Sequence, residues 1–285
     1  MIRLDAATVL LQWATGGLLF CWVTTRGRTV SLGYGWLLRG IYGLMAVGAA
    51  YVGLRYGHDV PVRDVSSIGV ALAAAAALWV SVVRRKAGVA GERAHAERTN
   101  ARIAAMTGIE RNRSAGDESQ PEFPPVLDLV APVLGMVGLV AGGIDAGHPA
   151  GLSVARVVVG ALFLGAISDA MLLGHWYLVQ PGLARGSLLE LVRWLGWLWP
   201  FEVAVMVWPT GVLSVLSGRI DDGYGGILGW MWVVCAITTI GLVVVTRAAL
   251  KERQYSAVMA ATGLLYLAIL TGFGQDLVAR AVLSR

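Results

Sequence analysis

The sequence LSVARVVVGALFLGAISDAMLLGHWYLV runs from residue 152 to residue 179 and is almost entirely apolar. Its only acidic, basic or imidazole side chains are Arg156, Asp169 and His175. A helix of roughly 20 apolar residues crosses the ~30 Å hydrocarbon core of a bilayer, so this run is long enough to span a membrane. Because lipid offers the backbone no hydrogen-bond partners, a spanning segment is either a helix or a barrel strand. The run lacks the polar alternation of a barrel strand, and we predict a transmembrane helix.

Seven further apolar runs extend this pattern over the chain. The run 66–83 is the shortest, and Pro200 and Pro209 interrupt the longest. Hydrophobic residues make up 56% of the sequence and charged residues only 14%, whereas soluble domains carry about 25% charged residues. We therefore predict an all-α fold, a polytopic integral membrane helix bundle with about eight transmembrane helices. The other seven runs cover residues 6–24, 33–54, 66–83, 126–145, 188–217, 226–247 and 254–282.

Basic residues predict the orientation of these helices. Cytoplasmic loops are enriched in Lys and Arg, and the segment 84–125 opens with the basic run 84–86. Placing this segment in the cytoplasm puts the basic residues at 26–28, 185 and 247–253 on the same side. Both termini then face the extracytoplasmic side. The bias toward Ala, Gly, Val and Arg indicates a GC-rich bacterium, hence a multi-pass protein of the bacterial cytoplasmic (inner) membrane.

The chain divides into three parts by composition. Residues 1–83 carry helices 1–3, residues 84–125 form a charged cytoplasmic loop, and residues 126–285 carry helices 4–8. Within the loop, residues 88–112 predict a weakly amphipathic surface helix, and a Pro-rich linker follows at 114–125. The loop is interpreted either as a solvated connector or as a docking segment for a partner.

Ionisable side chains inside spanning helices are costly and therefore mark functional sites. Arg156, Glu190 and Arg280 lie close to predicted helix ends, where they can snorkel to the interface, and we set them aside. The candidates taken from the apolar runs are Arg39, Arg156, Asp169, His175, Glu190, Arg193, Glu202, Asp276 and Arg280.

Asp169 and Glu202 form the first candidate site. The short turn 180–187 predicts an antiparallel hairpin, and both carboxyls lie at nearly equal sequence distances from residue 185. At about 1.5 Å per residue they reach similar depth near the bilayer midplane. Two carboxyls in one apolar region do not both ionise readily, so one would hold a proton. This arrangement suits a proton relay, and the alternative is a protonated acid bonded to a neighbouring helix.

A layer of aromatic and basic side chains forms the second candidate site, closer to the cytoplasm. Histidine, tyrosine and arginine beside flat tryptophan rings suit a quinone, because they can bond its carbonyls and stack on its ring. The same residue types also form interfacial aromatic belts that contact lipid. The layer comprises His175, Tyr177, Arg39, Arg193, Trp194 and Trp197.

Several cofactor classes are disfavoured by the sequence. His175 is the only histidine clearly inside a predicted span, so haem held by two histidines is not expected. No Cys-x-x-Cys or paired-histidine spacing predicts a metal site, and no phosphate-binding loop or nucleophile motif occurs. No covalently bound cofactor is expected, which leaves quinone or lipid as the ligand classes to consider. The net charge of +5 fits contact with anionic lipid and requires no nucleic acid.

Three functions compete on this evidence. The first is a membrane-embedded subunit of a respiratory or other electron-transfer complex, either non-catalytic or helping to form a quinone site near His175, with other membrane subunits as partners. The second is a proton-coupled secondary transporter that uses Asp169 and Glu202. The third is a scaffold or assembly protein. In none of them does the chain hold a soluble active site, so we assign no catalytic residue.

Small residues such as Gly16 with Gly17 predict close helix packing.

Overall fold

The computed structural model describes residues 5–108, 116–117, 119, 121–180, 183–209 and 211–283, apart from the side chain of His95. Every regular element in these residues is a helix. Two short 3₁₀ turns, Arg85–Ala87 and Pro125–Leu129, flank the loop after the third helix. The helices are α1 (Ala6–Thr25), α2 (Leu32–Tyr56), α3 (Pro61–Val83), α4 (Ala90–Thr107), α5 (Val130–Ala146), α6 (Ala150–Val179), α7 (Gly186–Val207), α8 (Leu213–Leu216), α9 (Ile227–Lys251) and α10 (Tyr255–Leu283).

Seven helices are long and apolar enough to cross a membrane: α1, α2, α3, α5 with its preceding turn, α6, α9 and α10. The prediction of a multi-pass helical membrane bundle is confirmed at this level. Helix α7 is also long, but it carries three charged side chains, Glu190, Arg193 and Glu202, and is not among these seven.

The distribution of polar and apolar side chains is that of a membrane protein. Leu72, Val137 and Ile237 point outward and are each more than half exposed, whereas the Asp169 and Glu202 side chains are fully buried. A soluble protein exposes only small apolar patches. An apolar outer surface around a polar interior fits surrounding lipid.

Two predicted boundaries are wrong. The run 188–217 does not form one helix, because α7 ends at Val207 and Trp208 takes an extended conformation before Pro209. The proline ring disfavours a helical residue before it and removes a backbone donor, so the helix stops there. Conversely, α3 begins at Pro61, five positions before the predicted start at 66, because a proline is well tolerated in the first turn.

Helices α1 and α6 form the centre of the bundle. Helices α2, α3 and α5 pack on one side, whereas α7, α9 and α10 pack on the other. The α1–α6 contact depends on Gly16, where an added Cβ would lie 1.8 Å from the Ala161 carbonyl oxygen. On the facing helix, a Cβ at Gly165 would lie 2.4 Å from the Gly16 oxygen. The predicted packing role of Gly16 is confirmed, because only glycine fits at this backbone contact.

The segment 84–125 packs against the turn between α1 and α2. Glu122 accepts hydrogen bonds or ion pairs from Arg93 at 2.5 Å and Arg28 at 2.7 Å. The Gly91 backbone N–H donates to the Arg28 carbonyl at 2.9 Å, and Phe123 is buried. The described parts of the segment are therefore fixed to one end of the bundle, which we call the loop end. The opposite end, where α6 begins and α10 finishes, is the far end.

Candidate functional site

A buried polar cluster occupies the far half of the bundle. Arg280 of α10 donates through Nε to Asp276 at 2.9 Å and also bonds the Gln12 side-chain oxygen of α1. Gln12 in turn donates to Asp276 at 3.5 Å. Gly160 of α6 makes room for this cluster, because an added Cβ there would lie 2.5 Å from Gln12 Nε2. The cluster joins α1 and α10 through buried polar side chains, and α6 packs against it at Gly160.

Glu202 of α7 lies beside this cluster without a bonding partner. Its side chain is fully buried, and neither carboxyl oxygen has a hydrogen-bond partner among the described residues. Its electrostatic neighbours are Asp276 and Arg280. The fully buried Gln275 amide is likewise unbonded within that part of the chain. Unbonded polar groups at such depth are costly, and they are typical of paths for protons or ions.

Asp169 of α6 forms a separate site near the bundle centre. The Tyr42 hydroxyl donates to Asp169 Oδ1 at 2.5 Å, and the Tyr34 hydroxyl donates to the Asp169 carbonyl oxygen at 3.2 Å. The second carboxyl oxygen, Oδ2, is buried and has no hydrogen-bond partner in the described residues. One Asp169 carboxyl oxygen is therefore held by Tyr42, while the other stays a free acceptor among the described residues.

The predicted pairing of Asp169 with Glu202 at one depth is wrong. The prediction took residue 185 as the centre of the turn. Because α6 ends at Val179 and α7 begins at Gly186, the true centre lies nearer to Asp169 in the sequence. Asp169 lies about 15 Å from the loop end of α6, and Glu202 lies about 24 Å from the start of α7, at 1.5 Å per residue. The two carboxyls are therefore separate sites along the bundle axis.

Arg39 and Asp128 form a third buried site, near the loop end. Arg39 bonds both Asp128 oxygens, with Nε–Oδ1 and NH2–Oδ2 distances of 2.7 Å each, and both side chains are almost fully buried. The Phe123 ring covers the Arg39 guanidinium, with 4.4 Å from the Cζ atom to the ring centroid. A two-point charge pair of this kind fixes both side chains.

The predicted quinone layer is divided among different surfaces. Arg39 is buried in its pair with Asp128, so the structure contradicts its assignment to a layer with His175. The Tyr177 hydroxyl is used internally, because it donates to the Ala184 carbonyl. His175 is exposed on α6 and lies 3.0 Å from the Tyr266 hydroxyl through Nδ1.

The structure does bring Arg193, Trp194 and Trp197 together. These residues and Glu190 line an outward-facing cavity of about 320 Å³ on α7. Both tryptophans are substantially exposed. Three of the six predicted layer residues thus share one surface on the outside of the bundle.

A series of buried and half-buried polar side chains lies between the Arg280–Asp276 pair and the Arg39–Asp128 pair. Gln12 is followed by Trp13, whose indole N–H donates to the Ser168 hydroxyl at 2.6 Å, next to Asp169. Tyr42 continues the series toward the loop end. We call this series the polar seam; it comprises Arg280, Asp276, Gln12, Trp13, Ser168, Asp169, Tyr42, Arg39 and Asp128.

Two arginines at the far end of the bundle were misjudged from sequence. Arg156 and Arg280 lie near helix ends, but they are only 2% and 1% exposed, so the prediction that they snorkel is wrong. The signal that could have placed Arg280 in the interior is the spacing of Asp276 and Arg280, which are one helical turn apart and form an ion pair. Gln12 and Gln275, two amides inside apolar runs, were further signals.

Comparisons with protein-family models, curated proteins and solved structures found no match to this chain. Among the described residues, no group of three His, Cys, Asp or Glu side chains comes together as a set of metal ligands. The buried polar groups are therefore the features that point to a function.

Proposed function

We propose that this protein is a proton-coupled membrane transporter in which protons move through the bundle along the polar seam and the Glu202 carboxyl beside it. The observation that carries the proposal is the pair of buried carboxyls with unbonded oxygens, Asp169 and Glu202. Buried ionisable groups in spanning helices mark proton and ion paths. A scaffold would gain nothing from carboxyl oxygens left unbonded in its core.

In this proposal, Glu202 and Asp169 act as two successive proton sites. Their depths differ by about 9 Å at 1.5 Å per residue, which exceeds the reach of one hydrogen bond. A proton that arrives at Glu202 from the far end needs water or solute to reach Asp169. The Tyr42 hydroxyl then serves as the next donor and acceptor toward the loop end.

We further propose that α7 is an eighth transmembrane helix. Its 22 residues extend about 33 Å at 1.5 Å per residue, enough to cross the hydrocarbon core. With eight spans, both termini lie on the extracytoplasmic side, and the basic 84–125 segment lies in the cytoplasm of a bacterium, in agreement with the distribution of Lys and Arg.

Proton movement is testable with purified protein in lipid vesicles. Vesicles that contain an internal pH dye are given a membrane potential, and we expect wild-type protein to acidify them faster than protein-free vesicles. Glu202→Gln should reduce this rate at least about tenfold, because the glutamine amide cannot take up and release a proton as the Glu202 carboxyl does. Glu190→Gln is the matched control, because Glu190 lies on the same helix but pairs at the surface with Arg26 at 2.5 Å. Equal rates with and without protein would refute the proposal.

The α7 surface supports a second candidate function, a membrane subunit of an electron-transfer complex. The cavity of about 320 Å³ between Arg193, Trp194 and Trp197 offers a cation and two aromatic faces to a quinone ring. Extraction in mild detergent, followed by quinone analysis and mass spectrometry of bound subunits, tests this function. Trp197→Ala should lower bound quinone, whereas the equally exposed Trp230→Ala on α9 should not. Absence of both quinone and subunits would exclude it.

A further inference from the structure

A second cavity lies at the far end, between the start of α6, the α7–α8 connection and the end of α10. Its volume is about 180 Å³. Leu152, Ile220 and Val282 contribute apolar walls, and Arg156 provides the charged group. The cavity is distinct from the polar seam, although Arg156 lies close enough to Arg280 for their charges to interact.

Arg156 has an unusual environment for a buried cation. Its Nε donates to the Val205 carbonyl at 2.9 Å, and its NH2 group donates to the Trp208 carbonyl at 2.8 Å. These two bonds fix the plane of the guanidinium at the end of α7. Arg156 forms no ion pair with any residue in the described part of the chain, although its side chain is 2% exposed.

Within the described residues, the positive charge of Arg156 is therefore not paired with a carboxylate. Arg280 adds a second positive charge, but its own carboxylate partner, Asp276, bonds it at 2.9 Å. A guanidinium has five N–H donors, and carbonyl oxygens accept only two bonds from Arg156. An anion in the cavity would gain charge-assisted hydrogen bonds in a low-dielectric setting.

The walls of the cavity limit the class of anion. Besides Arg156, the polar side chains of the lining are His148 and Ser214, and most of the rest is aliphatic or proline, so a ligand that fills the cavity needs an apolar part. A highly charged nucleotide or sugar phosphate would leave its polar groups unbonded against these walls. We propose that Arg156 and this cavity bind a small carboxylate with a short aliphatic chain. This binding site is a proposal separate from proton transport. The binding test below does not require that the protein moves protons.

The test is a calorimetric titration of the detergent-purified full-length protein with butyrate and, separately, with butyramide. Butyramide has nearly the same shape but no charge, so saturable binding of butyrate with at least about tenfold weaker binding of butyramide is expected. Equal binding of the two compounds, or no saturable binding of butyrate, would overturn the proposal.

Two variants separate loss of binding from loss of folding. Arg156→Gln removes the charge, whereas Leu152→Trp fills the cavity from a half-buried position and leaves Arg156 in place. Both should weaken butyrate binding at least about tenfold, and the thermal unfolding midpoint of Leu152→Trp should stay close to the wild-type value. Binding by folded Leu152→Trp with wild-type affinity would refute the cavity assignment.

A lipid headgroup is the other possible source of an anion at this position. Titration with short-chain phosphatidate distinguishes the two, because the phosphate and its two chains exceed the small cavity. If phosphatidate binds and butyrate does not, the proposal of a site for small carboxylates is wrong. The proposal of proton transport through the seam would still stand.

Discussion

Among the described residues, the Asp169 carboxyl accepts one hydrogen bond. The hydroxyl of Tyr42 donates to Asp169 Oδ1 at 2.5 Å, and Tyr42→Phe removes only this oxygen. We expect the variant to unfold at lower temperature, because a buried acceptor loses its donor. The free energy of unfolding should fall by about 1–3 kcal/mol. Tyr51→Phe, on the outward face of the same helix, is the control and should match the wild type. Equal stability of both variants would contradict the assigned bond.

Asp222, outside the spanning helices, gives the fold a pH dependence. Its carboxylate accepts backbone N–H groups of Gly226 at 2.8 Å, Tyr224 at 2.9 Å and Leu228 at 2.9 Å. These bonds, that of Gly226 foremost, lower the Asp222 pKa below its ordinary value of 3.8. The stabilisation is complete above pH 3.8 and is lost as the pH falls through the lowered pKa in the folded state.

Thermal unfolding of wild type and Asp222→Asn at a series of pH values measures this contribution. The wild type should be the more stable protein at neutral pH, and the difference should shrink below about pH 4. The neighbouring Asp221→Asn, which loses a bond to Gly223 alone, should show a smaller difference. A difference for Asp222→Asn that grows as pH falls would show that the sign is wrong.

Among the helices, the α1–α6 contact is the least tolerant of added volume. Gly165→Leu would force the two backbones apart, since even a Cβ would lie 2.4 Å from the Gly16 oxygen. We expect a loss of at least about 1–3 kcal/mol, as measured by unfolding in detergent. Gly241→Leu on α9 is the matched control, because no atom lies within 4 Å of its added Cβ. Similar stability of the two variants would contradict the central position of α1 and α6.

The helices themselves could be predicted from sequence more fully than their contacts. Apolar length identified the spanning segments, and the small residues at Gly16 identified a packing face. Helix rotation, however, leaves no signal in apolar length, so Arg39 was assigned to His175 instead of Asp128. Depth also depends on where a turn ends, and the extent of the α6–α7 turn placed Asp169 and Glu202 too close together. Arg156 and Arg280 were misjudged because proximity to a helix end does not show whether the side chain faces lipid or another helix.

The topology of the whole molecule depends on α7. In a background with Cys21→Ala and Cys235→Ala, we expect Asp59→Cys and Tyr224→Cys to react with an impermeant thiol reagent added to intact cells. Arg98→Cys should react only after the cells are opened. If α7 did not span the membrane, Tyr224→Cys would be protected like Arg98→Cys, because it would lie on the same side.

The central claim is that protons cross the bundle through Asp169. Proton flux into dye-loaded vesicles, compared between wild type and Asp169→Asn at equal protein content, tests it most directly. Asparagine keeps the size and an acceptor for the Tyr42 hydroxyl, but it cannot carry a proton at neutral pH. The account predicts at least about a tenfold loss of flux in a folded variant. Wild-type flux in Asp169→Asn would contradict it.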